Sequence, residues 1–479
     1  MSHPLYLNVI SFCGIFALCF IAWLSSEHRR LIPWKVIIFG IGLQLVMGLL
    51  IFLFAPTRQF ILGLNDALNA ILDASEAGAR FMLGGGNSAF VPDPELMVGP
   101  GPASRWIYRA VGTPYVSVPG DRLTPDNLNF GFIFAFRSLP QVVFFSALIA
   151  LLYRLGVIQP VVQVFARLFR ATMSISGAES LSGAANIFVG IESAIAVKPF
   201  LADMTRSELC AILTCCFGSI ASTVLALYTS FLRPTFPTIT GHLMSASVLT
   251  IPACFVMAKL IVPETDVPKT LGKVPTEEED PNQKKPSLID SLIVGAWDGV
   301  RMAVGIAAVV IAILGLVALV NTFFAYLANF AASDNPLIQL IGNIFSVITL
   351  DNIFGVLFLP LTFLTGVSLD WQELWQASVL IGQRLLQTEI PSYLKLAQLS
   401  AQGLISDRAI LIISYVLCGF AHIASFGIFV GGLASLVPER RADISAIGWK
   451  ALWAATLATY MTGCIAGVFD FGNPAILGK

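Results

Sequence analysis

The chain has 479 residues, of which 56% are hydrophobic and only 12% charged, with a mean hydropathy of +0.80. Soluble domains carry roughly 25% charged residues, so a soluble globular protein is excluded. A formal net charge of −1 leaves no general basic surface, which argues against nucleic acid as a partner.

Apolar runs of about 20 residues, each long enough to cross a bilayer, recur along the whole length. They lack the period-two alternation of barrel strands, so the expected class is an all-α polytopic membrane protein. The eight cysteines fall almost all in apolar runs without C-x-x-C spacing and read as packing residues.

Taken in order, residues 5–24 and 36–54 are two spans joined by a loop holding His28, Arg29, Arg30 and Lys35. The positive-inside rule places that loop in the cytoplasm and the N-terminus outside. Glycine and proline clusters mark 55–129 as an irregular external or interfacial insertion, with a surface amphipathic helix expected over 60–82. Residues 130–153 read as a third span, and 157–169, carrying Arg167, as an interfacial helix. Thr205-Arg-Ser-Glu208 is a capping-box pattern that predicts a helix continuing to about Thr229, and 240–262 reads as the next span. The lysine, glutamate and proline mixture of 267–286 is a solvated cytoplasmic linker. Beyond it, 287–297 looks interfacial, 300–326 spans, 337–367 is apolar with breaks expected near Pro360 and Gly366, 371–398 is a helix, and 444–469 is the last span.

Two segments do not behave as ordinary spans. Residues 173–200 contain Asn186 and Glu192 within an apolar run that closes on Pro199, and 410–437 contain His422 among small residues and end before Pro438. An ionised group such as Glu192 costs about 2.5–3.5 kcal/mol in hydrocarbon on insertion scales, so it must face protein or a water-filled cavity. A pair of interrupted apolar segments in corresponding places of two halves is the sequence pointer to a transporter's binding site.

Read as a helix, the first segment places Asn186, Val189, Gly190 and Ser193 on one face. An amide oxygen with carbonyls exposed by an unwound turn is a ligand set for a hard cation, and a small-residue packing face is the plain alternative. Pro391 lacks a backbone donor and crowds the carbonyl of Gln387, so the helix is expected to open at Gln387-Thr-Glu-Ile-Pro391. Glu389 then offers two acceptor oxygens to sugar hydroxyls, or it forms a structural ion pair with Arg384 or Lys395. His422 either meets substrate or is a satisfied core histidine. No phosphate loop, H-E-x-x-H motif or Ser/His/Asp arrangement supports an enzyme.

Ala184-Ala-Asn-Ile-Phe-Val-Gly190, Ser245-Ala-Ser-Val248 with Pro263-Glu-Thr265, and Cys418-Gly-Phe-Ala421 followed by Gly431-Gly-Leu-Ala-Ser-Leu-Val-Pro438 resemble the concentrative nucleoside transporter family over about residues 130–471. The resemblance implies a homotrimeric, cation-coupled nucleoside importer in the inner or plasma membrane, surrounded by lipid and without a cofactor. It implies about eight transmembrane helices plus two re-entrant helical hairpins and interfacial helices, with an inverted-repeat transport domain moving like an elevator against a trimeric scaffold. The corresponding boundaries are 1–54 for N-terminal spans, 55–129 for the insertion, 130–172 for scaffold and interfacial helices and 173–266 for the first transport half. The linker at 267–286 leads to 287–369 for further scaffold and 370–479 for a broken helix, the second hairpin and the last helix.

By the same resemblance the cation site falls on Asn186, Val189, Ser219 and Ile220, a pattern favouring Na+ although some members use H+. The nucleoside site falls on Gly190, Ile191, Glu192, Ser193, Val224, Glu389, Phe420, His422 and Ser425, with Glu389 as the ribose-binding carboxylate beside Ser425 and Phe420, and Val224 lining the base pocket. Ile191-Glu-Ser193 stands where the family usually has Gln-Thr-Glu, and His422 where it usually has asparagine, so the base preference is open. An ion channel or exchanger without organic substrate and a polytopic membrane enzyme are the rival readings.

Overall fold

The computed structural model describes residues 5–83, 135, 139–272 and 287–478, and every regular element among them is helical. Helices α1 (Leu5–Leu24) and α2 (Trp34–Phe52) are strongly apolar and bury the polar Asn8, Ser11 and Gln44 against the rest of the protein. Helix α3 (Ala55–Leu83) is amphipathic and takes in the helix expected over 60–82. Its polar residues dock on protein: Asn69 accepts from Thr240 at 2.9 Å, and Asp73 pairs with Arg233 at 2.8 Å. The rest of the 55–129 insertion lies outside the described residues.

Helix α4 (Leu139–Arg154) bends by 80° into α5 (Ile158–Met173). Val162, Ala166, Phe169 and Met173 recur along α5 at helical spacing and are buried, so one face packs on the core. Helix α6 (Gly177–Ala185) and a 3-10 arm (Ile191–Asp203) then pack on each other as a hairpin. The hairpin opens on a capping box in which Ser176 and Glu179 satisfy each other's backbone N–H. The other oxygen of Glu179 lies 2.9 Å from Lys259 Nζ, which is also 3.0 Å from Glu264, and this pair pins the base of the hairpin to the end of α9 (Ile239–Ile261).

Helix α7 (Arg206–Gly218) starts at the expected capping box of Thr205 and Glu208. It does not run to Thr229: it stops at Gly218, and α8 (Ser222–Leu232) begins after an extended Ser219 and Ala221. The physical reason lies across the molecule. A Cβ on Gly419 would sit 2.5 Å from the Gly218 carbonyl oxygen, so two unwound stretches cross in backbone contact where no side chain fits.

Helix α10 (Leu288–Ala328) is one continuous rod, where separate interfacial and spanning pieces were expected at 287–297 and 300–326. Asp298 and Arg301, where the two pieces would have joined, face outward as an exposed pair. The break expected near Pro360 occurs instead between α11 (Pro336–Val347) and α12 (Leu350–Leu364), which are bent by 59°. Thr349 caps the start of α12 by accepting from the Asn352 N–H at 3.1 Å, and Pro360 sits inside the helix.

Helices α13 (Trp371–Gln387) and α14 (Glu389–Ala401) meet at Thr388. Ser392 Oγ donates to the Leu380 carbonyl at 2.8 Å, twelve residues earlier. A straight helix would hold those positions about 18 Å apart, so the chain doubles back into a second hairpin. The following pair, α15 (Asp407–Leu417) and α16 (Ile423–Leu436), does not pack side by side and forms a broken helix before α17 (Arg441–Phe469). The hairpin of the second half therefore lies at 371–401 and the broken helix at 407–436, the reverse of the order given for 370–479 from the sequence.

The succession of hairpin, broken helix and long buried helix thus occurs twice. Asn186 and Ser219 are 33 residues apart, and the same separation holds between Glu389 and His422. Five helices among the described residues are long and apolar enough to cross a membrane, or up to seven with the two bent pairs. Helices α9 and α17 are largely buried, whereas α10 buries few side chains and presents an apolar outer face.

Candidate functional site

The first cluster forms where α6 ends. Asn186 is the C-cap of α6, so the expected helical face of Asn186, Val189, Gly190 and Ser193 is replaced by a turn wrapped around one amide. With its nitrogen facing the turn, Asn186 donates to the carbonyls of Val189 at 2.9 Å and Gly190 at 3.2 Å, while its oxygen accepts from Ser193 Oγ at 3.0 Å and Cys216 N–H at 3.2 Å. Ser219, the C-cap of α7, donates to the Asn186 main-chain carbonyl at 3.1 Å. Ile220 follows directly in the same break and is buried. Oxygen atoms from an amide, carbonyls and a hydroxyl are thereby brought together in one buried cluster, the donor set a hard cation takes. Among the described residues no group of three or more His, Cys, Asp or Glu could hold a metal ion.

The second cluster is centred on Glu389, the first residue of α14, which is buried at 2% exposure. Tyr228 OH donates a short hydrogen bond to Oε1, and His422 Nε2 lies 2.9 Å from Oε2. His422 also caps α16: its Nδ1 accepts from the Ser425 N–H at 3.1 Å. A ring nitrogen that accepts from an amide carries no proton, so the proton of a neutral imidazole sits on Nε2, facing the carboxylate. Ser425 Oγ lies 2.7 Å from the His422 carbonyl and closer still to that of Phe420, bracing the break. Phe420 stands beside the His422 ring at 6.3 Å.

Neither ion pair weighed from the sequence forms. Arg384 instead donates to the Val416 carbonyl at 2.5 Å and to Thr459 at 3.1 Å, and Lys395 is exposed. The contact with His422, 33 positions away, required the fold. Val224 is buried on α8, which packs on α14, and α16 packs along the 3-10 arm of the first hairpin. Gly190 and Ser193 are buried at the tip of that hairpin; Ile191 and Glu192 are placed there by their backbone, and their side chains lie outside the described residues.

Two residues were missed. Tyr228 reads in sequence as one more apolar aromatic, yet it is fully buried, bonded to Glu389 and stacked on Tyr393 with ring centroids 4.4 Å apart. Thr388, at the tip of the second hairpin, adopts φ 71° and ψ 171°, a backbone region few residues other than glycine enter. Its hydroxyl is buried without a hydrogen-bond partner. The signal available for Thr388 was its place between Gln387 and Pro391.

Sequence profiles of known families match the chain in three stretches. They are "Na+ dependent nucleoside transporter N-terminus" over residues 13–86, "Nucleoside recognition" over 135–235 and "Na+ dependent nucleoside transporter C-terminus" over 242–467. An uncharacterized transporter of Haemophilus influenzae is 32% identical, with 96% of this chain and 97% of that protein aligned. The solved structure of CNTnw in an inward-facing substrate-bound state is 30% identical and superposes with a TM-score of 0.79, covering 97% of this chain and 98% of that one. The chain belongs to the concentrative nucleoside transporter family. Solute carrier family 28 member 3 of Mus musculus is 31% identical over 97% of this chain, which spans 59% of the length of that relative. The family is one of transporters rather than enzymes, and this chain is a multi-pass membrane protein. Both clusters fall inside the matched stretches, the first within 135–235 and Glu389 and His422 within 242–467.

Proposed function

We propose that the chain imports nucleosides across the plasma membrane by cation-coupled symport, with Na+ as the coupling ion. The observation that carries this reading is the buried carboxylate of Glu389 at a hairpin tip, bonded by Tyr228 of α8 and faced by His422 at the break between α15 and α16. A carboxylate at membrane depth without a lysine or arginine partner is costly unless a ligand uses it. Its acceptor oxygens suit a sugar that donates hydroxyl protons. Gly190, Ile191, Glu192, Ser193 and Val224 are assigned to the base side, and Phe420, His422 and Ser425 to the sugar side.

Na+ is favoured over H+ by the chemistry of the first cluster. Asn186, Val189, Ser219 and Ile220 offer amide, carbonyl and hydroxyl oxygens, none of which binds a proton near neutral pH. Cation binding would turn the Asn186 oxygen inward and order the tip of the first hairpin, raising nucleoside affinity; linkage makes the effect reciprocal. Structures of the related CNTnw are described as inward-facing, outward-facing and intermediate, which supports an elevator-type movement here. The exposed apolar face of α10 supports a homotrimeric scaffold.

The test is uptake of radiolabelled uridine and adenosine into proteoliposomes under an inward Na+ gradient, compared with choline replacement at two pH values. Concentrative uptake that requires Na+ is expected. Cation flux without nucleoside, or uptake indifferent to Na+, overturns the reading.

A further inference from the structure

The loop between α1 and α2 is held firmly, yet much of its charge is left without a partner. Glu27 N–H donates to the Ile261 carbonyl at 2.9 Å, and the Glu27 carboxylate receives Arg206 at 2.8 Å and Lys450 at 2.5 Å, which ties the loop to α7 and α17. Trp23 Nε1 donates to the Arg29 carbonyl at 2.8 Å, and Trp453 Nε1 to Ser25 Oγ at 3.2 Å. Arg29 spends one N–H on the Leu24 carbonyl at 2.6 Å. Among the described residues, the exposed side chains of His28, Arg30 and Lys35 have no hydrogen-bond or ion-pair partner. Two cations on the one carboxylate, with Arg29, Arg30 and Lys35 beside them, leave this end of the protein positive.

The shape of the site adds to its charge. Residues 26–31 line an open hollow of about 530 Å³. Helix α2 starts after Pro33 without a side-chain cap, so the positive end of its dipole adjoins the loop. Helix α1 packs on α17 and α2 on α9, with little contact between the two. Both carry exposed apolar side chains on the turns next to the loop: Phe16, Phe20 and Leu24 at four-residue spacing on α1, and Trp34 and Ile38 on α2. Trp34, 62% exposed beside the cations, has the composition of a membrane-interface anchor.

We propose that the α1–α2 loop is a binding site for an anionic phospholipid of the cytoplasmic leaflet, of the phosphatidylglycerol class. Arg29 and Arg30 take the phosphate, and the acyl chains lie along the exposed stripes of α1 and α2. A choline headgroup brings its own cation to a surface that already repels one. A free phosphate has no use for the apolar stripes. Because Glu27 links this loop to a helix of each half, a bound headgroup braces the junction of α7 with α17.

The test titrates the full chain in neutral detergent with phosphatidylglycerol, phosphatidylcholine or inorganic phosphate, read by native mass spectrometry and by melting temperature. Phosphatidylglycerol is expected to bind about tenfold or more tighter than phosphatidylcholine and to raise the melting temperature, as a ligand of the folded state does. Arg29→Gln with Arg30→Gln should weaken phosphatidylglycerol about tenfold or more and leave phosphatidylcholine unchanged. Lys284→Gln with Lys285→Gln, in the charged linker, should change neither. Equal binding of the two lipids, undiminished phosphatidylglycerol binding by the arginine variant, or an equal loss in the linker variant overturns the proposal. Displacement of the lipid by inorganic phosphate at matched concentration overturns it in favour of a soluble anion. Should the double arginine variant fail to fold, Arg30→Gln, which has no contact to lose, decides: a loss of about threefold or more supports the site and no loss overturns it.

Discussion

Replacing Glu389 by glutamine tests the sugar site with the smallest change in shape. The side chain keeps one acceptor oxygen and gains an NH2, which must face either Tyr228 or His422. His422 cannot accept, because its Nδ1 is committed to the Ser425 N–H and its Nε2 carries the proton. The Tyr228 hydroxyl can rotate to accept. The amide is therefore expected to settle with its nitrogen toward Tyr228 and its oxygen toward His422, which keeps the packing and the fold while the Tyr228 proton loses its acceptor. The cost falls on the ligand. A hydrogen bond to a charged group is worth about 1.5–3 kcal/mol and a neutral one about 0.5–1.5 kcal/mol, so two sugar hydroxyls together lose about 2 kcal/mol. That corresponds to a fall of roughly thirtyfold in nucleoside affinity and in uptake at limiting substrate. Initial rates in proteoliposomes and direct binding in detergent measure it, alongside a thermal melt matching the unaltered protein. Binding within about threefold of the unaltered protein, with normal folding, would refute the assignment of Glu389 to the sugar.

Ser219→Ala removes the hydroxyl that lies against the Asn186 carbonyl, and the Na+ concentration for half-maximal uptake is expected to rise by about tenfold, with little change in the limiting rate at saturating Na+; Na+ titrations of uptake check it. Lys259→Met leaves Glu179 buried at the base of the first hairpin without its 2.9 Å partner, and about 3–5 kcal/mol of stability should be lost. Adding Glu179→Gln should recover much of it in a thermal melt. In the loop between α1 and α2, burial acts to raise the Glu27 carboxyl, but Lys450 and Arg206 outweigh it and hold it below the ordinary value. A carboxyl held low in the folded state contributes stability above the unfolded carboxylate range and loses it as pH falls through the folded value. Melting temperatures of Glu27→Gln and the unaltered protein should therefore differ near neutral pH and converge in acid.

Periodicity and length carried the sequence reading far where local chemistry decides the structure. Thr205 and Glu208 announced the start of α7, and Pro391 announced an opening that occurs at Thr388. What escaped depended on contacts between distant residues. The break at Ser219 has no proline to mark it and exists because Gly218 and Gly419 meet. The interrupted apolar run around His422 pointed to the wrong stretch for the second hairpin, since Gly419 serves a crossing rather than a reversal. The role of Tyr228 became visible only when α8 was laid against α14.

The crossing at Gly218 and Gly419 also shapes the field inside the protein. Each break places the end of one half-helix beside the beginning of another: α7 and α15 finish there, and α8 and α16 start there. Helix beginnings carry roughly half a positive charge and helix ends roughly half a negative one, so the four termini largely cancel. A cavity built this way offers polarity without a net sign. It suits an uncharged polar solute, and a phosphorylated one would gain nothing from the helices that surround it.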